Sequence, residues 1–333
     1  MIPTIAISLG DFNGIGPEVI LKALSKTDLT SSTPLIIGHR DVFEYYSVRS
    51  GLQNNFYELK DENSLKKGHI NLLNLDLFSE VHFNPGSLSS EAGLFSMKAV
   101  EKGIDLTMNN ICDALVTAPI SKEAIQKAGY TVPGHTEFLA QKTSSKKYMM
   151  MLVNDHLRVG LATIHIPIKD VAGELSKISI LNHLSVLNKS LIRDFSISDP
   201  SIAVLGLNPH AGDGGVIGDE ELNIIKPALQ QALFQNITVG GPFAADGFFG
   251  NKMYHEFDAI LAMYHDQGLI PFKTLSFGQG VNFTAGLPII RTSPDHGTAF
   301  NIAGKNQADE RSFESAYKLA VTLSKNRQTI YKS

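Results

Sequence analysis

Phe257-Asp258-Ala259-Ile260-Leu261-Ala262-Met263-Tyr264-His265-Asp266-Gln267-Gly268 decides how this chain is read. Its first half is a short apolar run of the kind that makes a strand buried on both faces, as in a parallel α/β sheet. The run ends at His265, and Gly268 offers a turn toward Pro271-Phe272-Lys273. Two other segments share the design. Ile202-Ala203-Val204-Leu205-Gly206-Leu207 runs into Asn208-Pro209-His210, and Arg158-Val159-Gly160-Leu161-Ala162-Thr163-Ile164 runs into His165. In an open parallel sheet, ligands gather beyond the carboxyl ends of the strands. Three imidazoles delivered to that edge can converge on one divalent ion, which makes His165, His210 and His265 the candidate metal ligands. His39 also follows a strand-like run, Pro34-Leu35-Ile36-Ile37-Gly38, so position alone selects too many of the 11 histidines.

Composition narrows the class. A chain of 333 residues exceeds ordinary single-domain size, and 43% hydrophobic with 19% charged residues can bury a sizeable core. A net charge of −4 without a basic tract argues against nucleic acid as a partner. The single cysteine, Cys112, excludes a disulfide framework and fits a reducing compartment. Met1-Ile2-Pro3-Thr4-Ile5 lacks the charged start and long apolar stretch of a signal peptide, and no run reaches membrane-spanning length. The expectation is a soluble cytoplasmic protein with no membrane partner.

Upstream, Thr4-Ile5-Ala6-Ile7-Ser8-Leu9 predicts a first strand. Gly10-Asp11-Phe12-Asn13-Gly14-Ile15-Gly16 is its turn, with Pro17 suited to the first position of a helix. A strand at 34–37, a helix near 40–50, a polar segment at 51–70 and a helix within 87–109 follow. Asp113-Ala114-Leu115-Val116-Thr117 predicts another strand, and 174–196 an amphipathic helix. His135-Thr136 at a helix start suits an anionic group, because donors and dipole act together there. The run after His210 misses the dinucleotide fingerprint, having Ile217 where glycine is required. Gly304-Lys305-Asn306 has no Ser or Thr after its lysine, so it is not a phosphate-binding P-loop. Gly241 to Asp246 supplies an acid in a turn. Asp246 and Asp266 are the candidate acids for orienting a ligand or relaying a proton.

The motifs Val116-Thr117-Ala118-Pro119, Gly134-His135-Thr136-Glu137, Asn208-Pro209-His210-Ala211-Gly212, Tyr264-His265-Asp266-Gln267-Gly268 and Asp295-His296-Gly297-Thr298-Ala299 occur in that order. Together they resemble the 4-hydroxythreonine-4-phosphate dehydrogenase family (PdxA) of vitamin B6 biosynthesis, over nearly the whole chain. The resemblance implies a two-lobed α/β/α fold like that of isocitrate and isopropylmalate dehydrogenases, with the active site in the interlobe cleft. The expected lobes are 1–133 with 290–333, and 134–289. It implies a homodimer whose active site is completed by the partner subunit. It gives His165, His210 and His265 to one divalent ion (Zn, Co or Mg). His135, Thr136, Lys273, Asn282 and Arg291 go to the substrate. His296, Gly297, Thr298, Ala299 and Gly304 go to the NAD or NADP cofactor.

The implied reaction is oxidation of 4-phosphohydroxy-L-threonine at C3, then decarboxylation to 3-amino-2-oxopropyl phosphate. The chain departs from the family pattern at Phe12-Asn13, Gly247 and Ser293-Pro294. The alternatives are a sister dehydrogenase acting on 4-phosphorylated D-threonate or D-erythronate and, more distantly, a tri-histidine metal hydrolase.

Overall fold

The computed structural model describes residues 2–52, 55–62, 64–78 and 81–330. Its strands are β1 (Thr4–Ser8), β2 (Thr33–Gly38), β3 (Phe56–Glu58), β4 (Ile70–Asn74), β5 (Ala114–Thr117), β6 (Met149–Val153), β7 (Arg158–Leu161), β8 (Ser201–Leu205), β9 (Thr238–Phe243), β10 (Ala259–Ala262), β11 (Val281–Ala285) and β12 (Ile290–Pro294). The chain packs as two compact units: Met1–Ser145 with Leu287–Gln328, and Lys146–Gly286 with the residues from Thr329. The helix His135–Lys142 therefore groups with the first unit, although it follows position 133.

In the first unit the strands run in the order β3-β4-β2-β1-β5-β12, every neighbouring pair parallel. β1 and β5 are buried almost throughout, which is why they read as apolar runs without alternation. In the second unit the order is β11-β6-β7-β10-β8-β9. There β11-β6 and β6-β7 are antiparallel, and the remaining pairs are parallel. The core beneath β7, β10 and β8 gathers Val159, Leu161, Ala203, Leu205, Ile260, Leu269 and Phe272. Each large side chain there contributes about 1.5–3 kcal/mol by leaving water.

Several expectations need correction. Gly268 is not a turn residue; it lies in the helix His265–Ser276, which also accommodates Pro271. A β-carbon at Gly268 would stand 2.7 Å from Leu161 Cδ2 and 2.9 Å from Val159 Cγ1, so glycine serves the close seating of this helix on β7. Asp246 lies in the first turn of a short helix, Ala245–Gly250, rather than in an open turn. Two strands with no apolar run to announce them, β11 and β12, carry Asn282 and Arg291 respectively. His39 precedes the helix Arg40–Ser50, is 9% exposed and packs edge-on against Phe95, as a core histidine does. No helix among the described residues is long and apolar enough to cross a membrane.

Candidate active site

β7, β10 and β8 are parallel neighbours in that order, so their carboxyl ends share one edge of the second unit. Beyond them come His165, His265 and His210 respectively. Hydrogen bonds from Ala162 N to Ala262 O (2.8 Å) and from Thr163 Oγ1 to Met263 O (2.8 Å) tie the first two strand ends together. As a result the rings of His165 and His265 stand 5.8 Å apart between centroids, inclined at 44°. They border a cavity of about 480 Å³ that Ile164, Ile166, Tyr264 and Asp266 also line.

His265 Nδ1 lies 2.7 Å from Asp266 Oδ1. In the tautomer that donates Nδ1–H to this carboxylate, the lone pair of Nε2 is left for a ligand, the arrangement that orients metal-bound histidines. That pairing, with a second imidazole alongside, fits a borderline-soft divalent ion. Among the described residues, no group of three or more His, Cys, Asp or Glu stands together as a metal cluster. The structure thus brings His165 and His265 together, while His210 lies beyond the strand on the other flank of β10.

The His210 segment is the least regular part of this edge. His210, Ala211, Gly212, Asp213, Gly214 and Gly215 take φ values of 53°, 52°, 82°, 43°, 67° and 101°, six positive-φ residues in succession. Each non-glycine member costs roughly 1–2 kcal/mol. Opposing that strain is Glu221, 1% exposed, whose Oε1 accepts from the N–H groups of Leu207 and Asn208 at 2.7 Å each. Its Oε2 accepts from Asn208 Nδ2 at 2.9 Å. Burial pushes this carboxyl up, but the bonds from Asn208 and Leu207 outweigh it and hold the pKa below its ordinary value. Hydrogen bonds to a charged acceptor are worth about 1.5–3 kcal/mol each, comparable to the strain they oppose.

Of the remaining candidates in the second unit, Lys273 is exposed on the helix that His265 opens. Asn282 lies on β11 with its Oδ1 shielded from solvent and without a hydrogen-bond partner. Asp246 and Asp266 are both exposed.

The first unit holds Arg291, His135 and Thr136. Arg291 on β12 is 2% exposed and donates from Nε (3.1 Å) and Nη2 (2.7 Å) to Thr117 Oγ1 at the end of β5. Burial pulls its guanidinium down to about 9 against the opposing charge of Glu137, so it stays cationic at neutral pH. Burial, and then the charge of Arg291, drive the pKa of His135 well below its ordinary value. His135 Nε2 is shielded and unpartnered. A buried polar atom left this way costs about 1–3 kcal/mol unless something pairs with it, so His135 could serve a ligand bound near Arg291. Thr136 follows in the same helix start.

The segment 296–299 packs on the first turn. Ile15 N donates to Thr298 O at 3.0 Å, and a β-carbon at Gly14 would meet that oxygen at 2.9 Å. His296 Nε2 is also shielded and unpartnered, while Gly297 faces open space. Ala299 and Gly304 both take left-handed φ, 43° and 73°. Asp11 is fully buried, with Oδ1 accepting from Asn13 N at 3.0 Å and Oδ2 unpartnered. Burial pushes its carboxyl up to about 6, against the bond from Asn13.

Sequence reasoning missed Asp11, Glu221 and Gln267. Gln267 and Asp11 stand inside quoted motifs, a usable signal. Glu221 has none, since an acid in a polar run normally faces water.

Residues 30–320 match the family described as pyridoxal phosphate biosynthetic protein PdxA. A 4-hydroxythreonine-4-phosphate dehydrogenase of Prosthecochloris aestuarii is 45% identical, over 97% of this chain and 98% of its own. One from Bacteroides thetaiotaomicron is 43% identical, over 97% and 89%. The crystal structure of a 4-hydroxythreonine-4-phosphate dehydrogenase from Klebsiella pneumoniae superposes with a TM-score of 0.88 at 35% identity, covering 97% of this chain and 98% of that one.

Proposed function

The chain belongs to the PdxA family of pyridoxal phosphate biosynthetic proteins, and from that membership we propose that it is a 4-hydroxythreonine-4-phosphate dehydrogenase. It oxidises 4-phosphohydroxy-L-threonine at C3 with NAD or NADP, and the β-keto acid then loses CO₂ to give 3-amino-2-oxopropyl phosphate. The observation that carries this reading is the delivery of His165, His265 and His210 to one sheet edge by three adjacent parallel strands.

In this assignment those three histidines hold one divalent ion (Zn, Co or Mg). Such an ion, when bound, would supply Lewis acidity to an oxygen placed beside it. Asp266 fixes the tautomer of His265 and, with Asp246, is placed to exchange protons with solvent. Arg291 offers a planar fork to the phosphate, and its seat on Thr117 holds the fork before substrate arrives. His135, kept neutral, can accept or donate one hydrogen bond without repelling the guanidinium. Thr136, Lys273 and Asn282 complete the substrate contacts, Lys273 as a mobile charge suited to a carboxylate. His296, Gly297, Thr298, Ala299 and Gly304 would hold the nucleotide, whose nicotinamide would supply the hydride acceptor. The working enzyme is a cytoplasmic homodimer whose active site takes residues from both subunits.

The test is formation of reduced nicotinamide from 4-phosphohydroxy-L-threonine, in wild type and His210→Ala, with and without chelator. Wild type should turn over only with metal, and the variant should not. Preference for D-threonate or D-erythronate 4-phosphate would reassign the substrate. Product without reduced nicotinamide would make the protein a hydrolase.

A further inference from the structure

Two side chains, the half-buried Gln267 and the buried Glu221, join the corner that carries His265 to the corner that carries His210. Gln267, two residues beyond His265, accepts from Met263 N at 2.7 Å through Oε1 and donates through Nε2 to Gly206 O at 2.6 Å. One amide therefore spans the ends of β10 and β8, using an acceptor on one side and a donor on the other. Neither a glutamate nor a leucine can do both. From Gly206 the chain passes to Leu207 and Asn208, whose N–H groups, together with the Asn208 side-chain amide, donate to Glu221 just before Pro209-His210.

The fit around that carboxylate is tight. A β-carbon at Gly206 would stand 3.0 Å from Glu221 Oε1, and one at Gly212 would stand 2.7 Å from Oε2. The loop is thus wrapped on Glu221 from both sides of His210. With 1% exposure, Glu221 has no surface to offer a ligand.

We propose that Glu221 and Gln267 are positioning residues that set His210 against His265, and so determine how tightly the metal is held without touching it. The proposal rests on the metal reading given above. Outer partners of this kind typically change metal affinity by about ten- to a hundredfold.

The test is the affinity of the whole chain for Zn²⁺ and Co²⁺ by competition with a chromophoric chelator. The proteins are wild type, Glu221→Gln, Gln267→Glu, His265→Ala, His210→Ala, and His210→Ala combined with each frame variant. Thermal unfolding of each metal-free protein runs in parallel. Glu221→Gln preserves the acceptor for both backbone N–H groups but turns an amide toward Asn208 Nδ2; Gln267→Glu removes the donor to Gly206. Each should weaken metal binding by about ten- to a hundredfold in the wild-type background and leave it unchanged once His210 is alanine, because only the path through His210 is affected. Equal weakening in both backgrounds, or lowered melting temperature at wild-type affinity, would reduce the pair to fold stabilisers and overturn the proposal. Loss of affinity in His265→Ala and His210→Ala with both frame variants at wild-type affinity sinks the positioning role alone. A wild type that binds neither ion sinks this proposal together with the metal reading.

Discussion

His265 and His210 reach the same sheet edge by opposite routes. After β10 the chain goes straight into a regular helix, and His265 is its first residue, with Asp266 exposed beside it. After β8 the chain winds through six positive-φ residues, and His210 is the first of them, around a carboxylate hidden from solvent. The first corner is built from local preference and close helix–strand packing. The second adopts a conformation its residues disfavour, held by hydrogen bonds from far along the chain. Strain retained in this way suggests that where His210 stands matters to function.

The sharpest way to break the comparison is to remove the imidazoles. If both corners serve one ion, His265→Ala and His210→Ala should each lower metal-dependent turnover by on the order of a thousandfold, and the double variant should fall little further. Chelated wild type should sit at the same floor. Steady-state rates under saturating substrate check this. A His210→Ala enzyme at wild-type rate would leave the strained corner without a catalytic reason.

Next in size is the glycine at each corner. Gly212 has φ +82°, and an added β-carbon would meet Glu221 Oε2 at 2.7 Å and Gly218 O at 2.8 Å. Gly212→Ala should cost about 2–4 kcal/mol, from the left-handed backbone plus the collision. Gly268→Ala has two opposing effects: alanine favours a helix interior by about 1 kcal/mol, whereas crowding Leu161 and Val159 costs about 1–3 kcal/mol. Its net loss should be about 1 kcal/mol. Urea unfolding of the metal-free variants measures both, and a reversed order would show the His210 corner to be slack.

The same contrast explains what was legible in the sequence. Residues 257–265 announced a buried strand because a parallel strand covered on both faces has no polar alternation to obscure it, and β1, β2 and β5 were readable for the same reason. Gly268 and Pro271 were misleading. Both normally interrupt helices, and only the closeness of Leu161 and Val159 explains glycine there. β11 and β12 were hidden because polar residues, Asn282 and Thr284 in one and Arg291, Thr292 and Ser293 in the other, break the apolar run that marks a buried strand. The strand-end histidines could be picked out by position, yet position chose His39 as well; its packing on Phe95 is a tertiary fact. Glu221 was illegible for the deepest reason. Its partners are 13 and 14 residues earlier, and nothing local distinguishes a carboxylate that folds inward from one that stays in water.

The smallest effect separates the two carboxylates by acid. Glu221 is held below its ordinary value of 4.5, since the hydrogen bonds from Asn208 and Leu207 overcome the burial that alone would raise it. A carboxyl whose folded pKa is depressed binds fewer protons folded than unfolded, so its stabilisation is complete above the unfolded value and is lost as pH falls through the folded one. Glu221→Gln cannot titrate. Its deficit relative to wild type should therefore be largest above the ordinary carboxyl range and should shrink as pH falls below it. Asp266, 69% exposed beside His265, is a surface partner worth less than about 1 kcal/mol, and Asp266→Asn should shift stability only within that limit. Urea midpoints of the metal-free proteins across this range decide the matter. A Glu221→Gln deficit that stays constant with pH would mean that the side chain's shape, rather than its charge, holds the left-handed turn.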